Sequence, residues 1–224
     1  MQKFDTPAAV SVVLDIPAGR IQLIAADRAD TTVEVRPADA AKSRDVKAAE
    51  QAEVGYADGV LRIVSSPATR NRIFGPSGSV EVTVQLPAGS NVEAKAAGAE
   101  LRGVGRLGDV AFEGAQATIK LDEAASARLA FQDGSVAVGR LAGPAEITTM
   151  RGDITVAEAH QGKVVVSTQS GNITVNAARG VSATLDAGTT YGRIDNALKN
   201  ADGAEAALNI HATVAQGDIT ARSL

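Results

Sequence analysis

The stretch at residues 169–180 reads QSGNITVNAARG. Near-copies stand at 151–157, RGDITVA, and at 216–222, QGDITAR. Each writes Gly, a small polar residue, Ile, Thr and a small apolar residue. With that Gly as anchor, seven equivalents line up: Ala99, Ala117, Gly134, Gly152, Gly171, Gly192 and Gly217. Their spacings are 18, 17, 18, 19, 21 and 25 residues. A sustained period of this size signals a repeat architecture, in which each repeat buries its apolar face only by stacking on neighbours.

The columns around the anchor define the element type. Two residues after it stand Leu101, Ile119, Val136, Ile154, Ile173, Ile194 and Ile219. Seven before it stand Val92, Val110, Ala127, Ala145, Val164, Leu185 and Ile210. Polar residues such as Glu146, Thr155 and Thr174 fall between the apolar ones. That alternation is the period of two of a half-buried strand. Each turn therefore holds two short strands joined at a corner, where Gly supplies backbone freedom.

A turn of about eighteen residues can bring the chain back one strand spacing higher, about 4.8 Å. Equivalent strands then pair in parallel, and like side chains stack inside a tube. The expected fold is all-β: a parallel β-solenoid over 91–224, right-handed by the bias of parallel crossovers. Residues 1–90 read differently. VVLDIPAGRIQLIAAD (12–27) matches VTVQLPAGSNVEAKAA (82–97), two strands about a Pro-Ala-Gly turn. Further strands are expected at 31–36, 53–56 and 59–64, and a short helix within 38–50, which is rich in Ala, Lys and Glu. This irregular β region is expected to cap the first coil, because an open solenoid end exposes unpaired backbone groups.

Composition narrows the function classes. The chain of 224 residues is 45% apolar but only 3% aromatic, so its core is narrow and aliphatic. A net charge of −4 with interspersed signs gives no basic stripe, so a nucleic-acid partner is not expected. Cysteine is absent, which removes disulfides, thiolate metal sites and a Cys nucleophile. The N-terminus lacks the pattern of a signal peptide and no window approaches a membrane span, so a cytoplasmic location is expected.

FDTP (4–7), DTTVEVRP (30–37), AAEQAEVGYADGVLRI (48–63), QLPAGS (85–90), GRLGDVAF (105–112), KLDEA (120–124) and HATVAQGDITARSL (211–224) stand in this order. Together with the GDITV-type turns they resemble a bacterial, actinobacterial-type β-strand-repeat family of unknown function that carries the label "putative adhesin". The resemblance covers nearly the whole chain. It implies a β-helical fold and no activity, cofactor or catalytic residue. Ala117 departs from the Gly that the repeat prefers.

Candidate sites are few. His160 and His211 are the only histidines and stand apart, so neither a metal site nor a catalytic triad is expected. Asp153, Asn172 and Asp218 follow anchor glycines and could form a column of acceptors. The nonapeptide pattern of calcium β-rolls is absent and Arg193 interrupts the column, so the corner preference of Asp and Asn accounts for them. Asp122 and Glu123 are adjacent, so in a strand they face opposite ways and make a poor acid–base pair. Arg70, Arg72 and Phe74 share the loop 65–78, a plausible contact surface since Arg beside an aromatic is enriched in binding hot spots. The expected protein is a non-catalytic β-solenoid scaffold that binds another protein, without cofactor or metal. A surface adhesin and a carbohydrate-active enzyme are the alternatives.

The column reading yields a mutational contrast. Ile154→Asp or Ile173→Asp places an unpaired charge inside the stack and is expected to cost several kcal/mol, on the order of 3 or more. Thr155→Asp, on the outward face, is expected to be mild. Thermal melts of the three variants check the assignment, and equal shifts would overturn it.

Overall fold

The structure, a computed structural model, describes residues 1–65 and 78–224. Apart from one short helix and one 3-10 turn, its regular elements are strands. The chain divides into two compact units, Met1–Gln116 and Ala117–Leu224.

The first unit contains β1 (Gln2–Asp5), β2 (Ser11–Ala26), β3 (Asp30–Pro37), α1 (Ser43–Glu50), β4 (Ala52–Ala57), β5 (Val60–Ser65), β6 (Val80–Pro87) and the start of β7 (Asn91–Ala130). Strand β2 lies at its centre. Its first half pairs in parallel with β5 and its second half with β6. On the other side both halves pair in parallel with β7, from Ser11 opposite Asn91 to Ile24 opposite Val104. Coil-like parallel pairing thus begins at Ser11, well before residue 91, where the repeat columns begin. The alternation of β2 sends Val12, Leu14, Ile21 and Leu23 into a core shared with Leu61, Ile63, Val82, Val84 and Leu101.

Antiparallel strands finish this unit. β3 pairs with β6, β1 with β3, and β4 with β5. The short outer strands β1 and β4 are joined by the rings of Phe4 and Tyr56, 5.4 Å apart. Helix α1 packs against β3 and β6. Its buried Asp45 accepts a hydrogen bond from the Ser79 backbone N–H at 3.0 Å. Asp30 ties the outer strands together, 2.8 Å from Arg28 Nε and 3.1 Å from Lys3 Nζ. The hydrogen bonds from Arg28 and then Lys3 hold its carboxyl at about 2 rather than the ordinary 3.8.

The second unit consists of the end of β7, β8 (Val136–Leu141), β9 (Ala145–Arg151), β10 (Ile154–Ala159), β11 (Gly162–Ser170), β12 (Ile173–Ala177), β13 (Ala183–Tyr191), β14 (Ile194–Ala197), β15 (Leu208–Gln216) and β16 (Ile219–Ser223). All its ladders are parallel. One runs β7–β8–β10–β12–β16–β14 and the other β7–β9–β11–β15–β13. Ile154 sits opposite Val136 on one side and Ile173 on the other, as the columns require. The architecture is all-β and solenoid-like. Among the described residues no helix is long and apolar enough to cross a membrane.

One expectation is corrected. The columns, read in chain order, place the coil at 183–197 between its neighbours and the coil at 208–223 last. The structure exchanges them: β15 lies between β11 and β13, and β16 between β12 and β14. Side chains explain the order. The inserted coil faces the stack with Leu208, Ile210, Ala212, Val214, Ile219 and Ala221, all buried. The displaced coil offers Leu185, Ala187 and Thr189, with Asp195 and Asn196 in its second strand, which suit an edge better than an interior. The anchor spacings of 21 and 25 residues follow from this order. They provide the chain needed to step over one slot and return.

The anchor column is built on close approach. Gly152 and Gly171 have φ of 131° and 142°, a region that L side chains rarely adopt. A Cβ on Gly152 would run into the Gly134 carbonyl, and one on Gly171 into the Gly152 carbonyl. Gly217 likewise rests on the Gly171 carbonyl and Gly192 on that of Gly217, which repeats the exchanged coil order. Ala117 does not share the positive φ, so its methyl is tolerated there.

Gly171→Ala is expected to lose about 1–3 kcal/mol of stability from backbone strain, before any displacement of the neighbouring coil. Gly188 has open space at its Cβ position and no positive φ, so Gly188→Ala should change stability by less than about 1 kcal/mol. Urea denaturation of the pair separates close approach from mere flexibility. In the first unit, Asp30 is expected to titrate at about 2 by NMR and to move toward 3.8 in Arg28→Ala. The folded value is the lower one. The stabilisation is therefore present above about pH 4 and lost as pH falls through 2.

Candidate functional site

The corner column is a ladder of side-chain caps. Asp153 Oδ1 accepts the Asn172 backbone N–H at 2.7 Å, and Asn172 Oδ1 accepts that of Asp218 at 3.0 Å. Asp218 Oδ1 in turn accepts the N–H of Arg193 at 2.8 Å. Each acceptor thus satisfies the first backbone donor of the coil above it, as a helix N-cap does. Arg193, which interrupts the acceptors in sequence, ends the ladder in space. Its guanidinium also lies 3.5 Å from Asp218 Oδ2. The oxygens considered for calcium are engaged in holding coils together. Among the described residues no group of three or more Asp, Glu or His is placed to hold a metal ion.

The histidines lie in different places. His211 Nδ1 is 3.1 Å from Asp186 Oδ2, an exposed pair linking β15 to β13. His160 Nε2 is 3.3 Å from Glu158 Oε1, at an angle that makes no hydrogen bond. Glu158 also meets Arg140 at 3.5 Å. Glu123 lies opposite Arg140, and Asp122 is exposed beside it. These are paired charges along the strand faces, not carboxylates converging on a cleft. Arg70, Arg72 and Phe74 lie outside the described residues.

What stands out instead is the displaced coil. Strand β13 pairs only with β15, and β14 only with β16, among the described residues. No further strand among them pairs with the other side of either, where β13 makes one backbone bond to the crossing segment, from Ala183 N–H to the Lys199 carbonyl at 3.1 Å. Ile194 is 45% exposed, whereas its stack-mates Ile154, Ile173 and Ile219 are exposed by 0–1%. Tyr191, at the end of β13, is 72% exposed, and Leu185, Ala187 and Leu198 are half-buried. The charges of this coil turn back toward the body: Asp186 to His211, Arg193 to Asp218, and Asp195 to Arg222 at 2.8 Å. The crossing segment 198–207 is held at the corner by Ser182 Oγ, which accepts the N–H groups of Ala201 and Asp202 at 3.1 Å. The result is a pinned coil with an open apolar column and no further strand on its outer side among the described residues. The sequence reading missed this feature because Leu185 and Ile194 occupy core columns. The lengthened spacings on either side were the available signal.

One family model matches residues 9–222, nearly the whole chain. The chain belongs to the Toastrack DUF4097 family. Two solved structures are similar along its length. A "putative cell adhesion protein" from Clostridium sporogenes has 12% identity and a TM-score of 0.37, over 100% of this chain and 98% of that one. A "putative adhesin" from Bacteroides fragilis has 12% identity and a TM-score of 0.44, over 98% of this chain and 95% of that one. No curated protein matches this Toastrack chain in sequence.

Proposed function

We propose that this Toastrack protein is a non-catalytic β-solenoid scaffold whose binding element is the uncovered coil at 183–197. The single observation that carries the reading is the exposure of Ile194, a core residue by sequence column, at a coil with no partner on its outer side among the described residues. An open strand edge is a template for a further strand: main-chain hydrogen bonds supply affinity and alternate side chains supply selectivity. Support for the non-catalytic part comes from the engaged corner acceptors and the paired surface carboxylates. As part of the same proposal, the coil is right-handed with about eighteen residues per turn, following the crossover bias and the repeat period.

Capture from source-cell lysate tests the reading. Wild-type chain is expected to retain a protein that the Tyr191→Ser, Ile194→Asp double variant loses. Both positions are exposed, so the variant's melting temperature should stay close to wild type. Equal capture by the two chains would overturn the edge as the binding element.

A further inference from the structure

We infer that the occupant of this edge is a second copy of the same chain, paired antiparallel with it about a two-fold axis through Ile194. The inference rests on reading the edge as the binding element and goes on to name what binds.

The sequence of the edge is its own complement. Around Ile194 it reads Arg193-Ile194-Asp195. In an antiparallel pair centred on Ile194, Arg193 opposes Asp195 of the other copy and Asp195 opposes its Arg193. Ile194 then faces its counterpart on the apolar side. Cross-strand pairs of these kinds are the favourable ones, and like charges placed opposite each other are not. Neighbouring registers fail that test. A pair centred on Arg193 or on Asp195 puts that charge opposite its own copy and sets Ile194 against Gly192 or Asn196. Either of these registers, a two-residue shift of the pairing, therefore loses both the apolar contact and the charge match.

Asp195 Oδ2 is held by Arg222 at 2.8 Å, so Oδ1 is the oxygen that would meet a facing Arg193. Ile194 pairs with Ile219 in its own ladder, on the core column, so a second copy would continue the apolar stack across the axis. The Arg193 side chain is 90% exposed and reaches only one Asp218 oxygen, at 3.5 Å, which leaves other guanidinium donors available to a facing carboxylate. Strand β13 carries one charged residue, Asp186, and neither Lys nor Pro in its nine residues. It thus lacks the devices that protect solvent-facing edges. Strand β14, which carries the axis, has four residues and one charge, Asp195. A two-fold contact between like edges closes on itself, as most homo-oligomers do.

Sedimentation of the full chain tests the inference. Wild type is expected to be a dimer. Ile194→Asp sets two carboxylates on the axis, and Arg193→Asp opposes Asp195 with a like charge, so each should give a monomer that keeps the β-rich circular dichroism spectrum of wild type. The double variant Arg193→Asp, Asp195→Arg restores opposite charges across the axis while breaking both ties to Asp218 and Arg222, and should recover the dimer. The chain has no cysteine, so Ile194→Cys reports directly. Directly opposed residues lie about 4.5–5.5 Å apart, within disulfide reach, and oxidation should give a covalent dimer. A wild-type monomer at all concentrations, a dimer indifferent to Ile194→Asp, or a double variant that stays monomeric would each overturn the inference. If the chain is monomeric while the edge variant still loses its captured protein, the second copy is wrong and the binding edge stands. If oligomer and capture both ignore the edge, both readings fall.

Discussion

Each coil of the second unit rests on its neighbour at one strand spacing, and the anchor glycines set how closely it can do so. At Gly152, Gly171 and Gly217 the carbonyl of the adjacent coil occupies the space a Cβ would take. One methyl there would lift a coil off its neighbour, and the hydrogen bonds of two parallel ladders would lengthen with it. The acceptors beside the glycines act in the same direction. Asp153, Asn172 and Asp218 cap the next coil's first N–H. At these three corners an exposed backbone donor is thereby paired with the adjacent coil rather than with water. The GD and GN dipeptides of the repeat are thus one device: Gly permits the approach and the following side chain fastens it.

With vertical contact fixed this way, the aliphatic columns need only fill the interior, and small residues suffice. Val, Ile, Leu and Ala do so with almost no aromatic help. The same logic explains why the coils need not follow chain order. Any coil with the right corner and inward residues can occupy any slot. The 208–223 coil has the more apolar inward column and takes the slot with two neighbours. The 183–197 coil has the more polar one and takes the slot with one. A stack ordered by burial leaves its least apolar member at the edge, yet that member still carries Ile194 and Tyr191.

Under the proposed reading, that edge gives the scaffold a direction for binding. In the first unit, β1, β3 and β4 run antiparallel to their neighbours and close their ladders with short strands, an aromatic contact and the Lys3–Asp30–Arg28 cluster. Nothing comparable covers β13 and β14 among the described residues. Hydrogen-bond groups left unpaired beside an apolar column are a standing opportunity for another strand, and the alternation of charge about Ile194 favours one register for it.

The parallel pairing, the stacked columns, most strands of the first ninety residues and the helix near 43–50 were legible in the sequence, whereas β1 and the unbroken run of β2 through Pro17-Ala18-Gly19, read as a turn, were not. Alternation and turn residues act within a few positions of one another, and a repeat displays the same local rule many times. The corner acceptors were legible as corner residues, but their ladder was not, because it joins residues up to 46 apart. The exposed edge was not legible either. Ile194 stands in the same column as its buried counterparts, and a column records which residues are equivalent without recording which lie beside which. The order of the coils is a competition among slots, decided by how much apolar surface each coil can bury on two sides rather than one. Only the folded chain brings the competitors together.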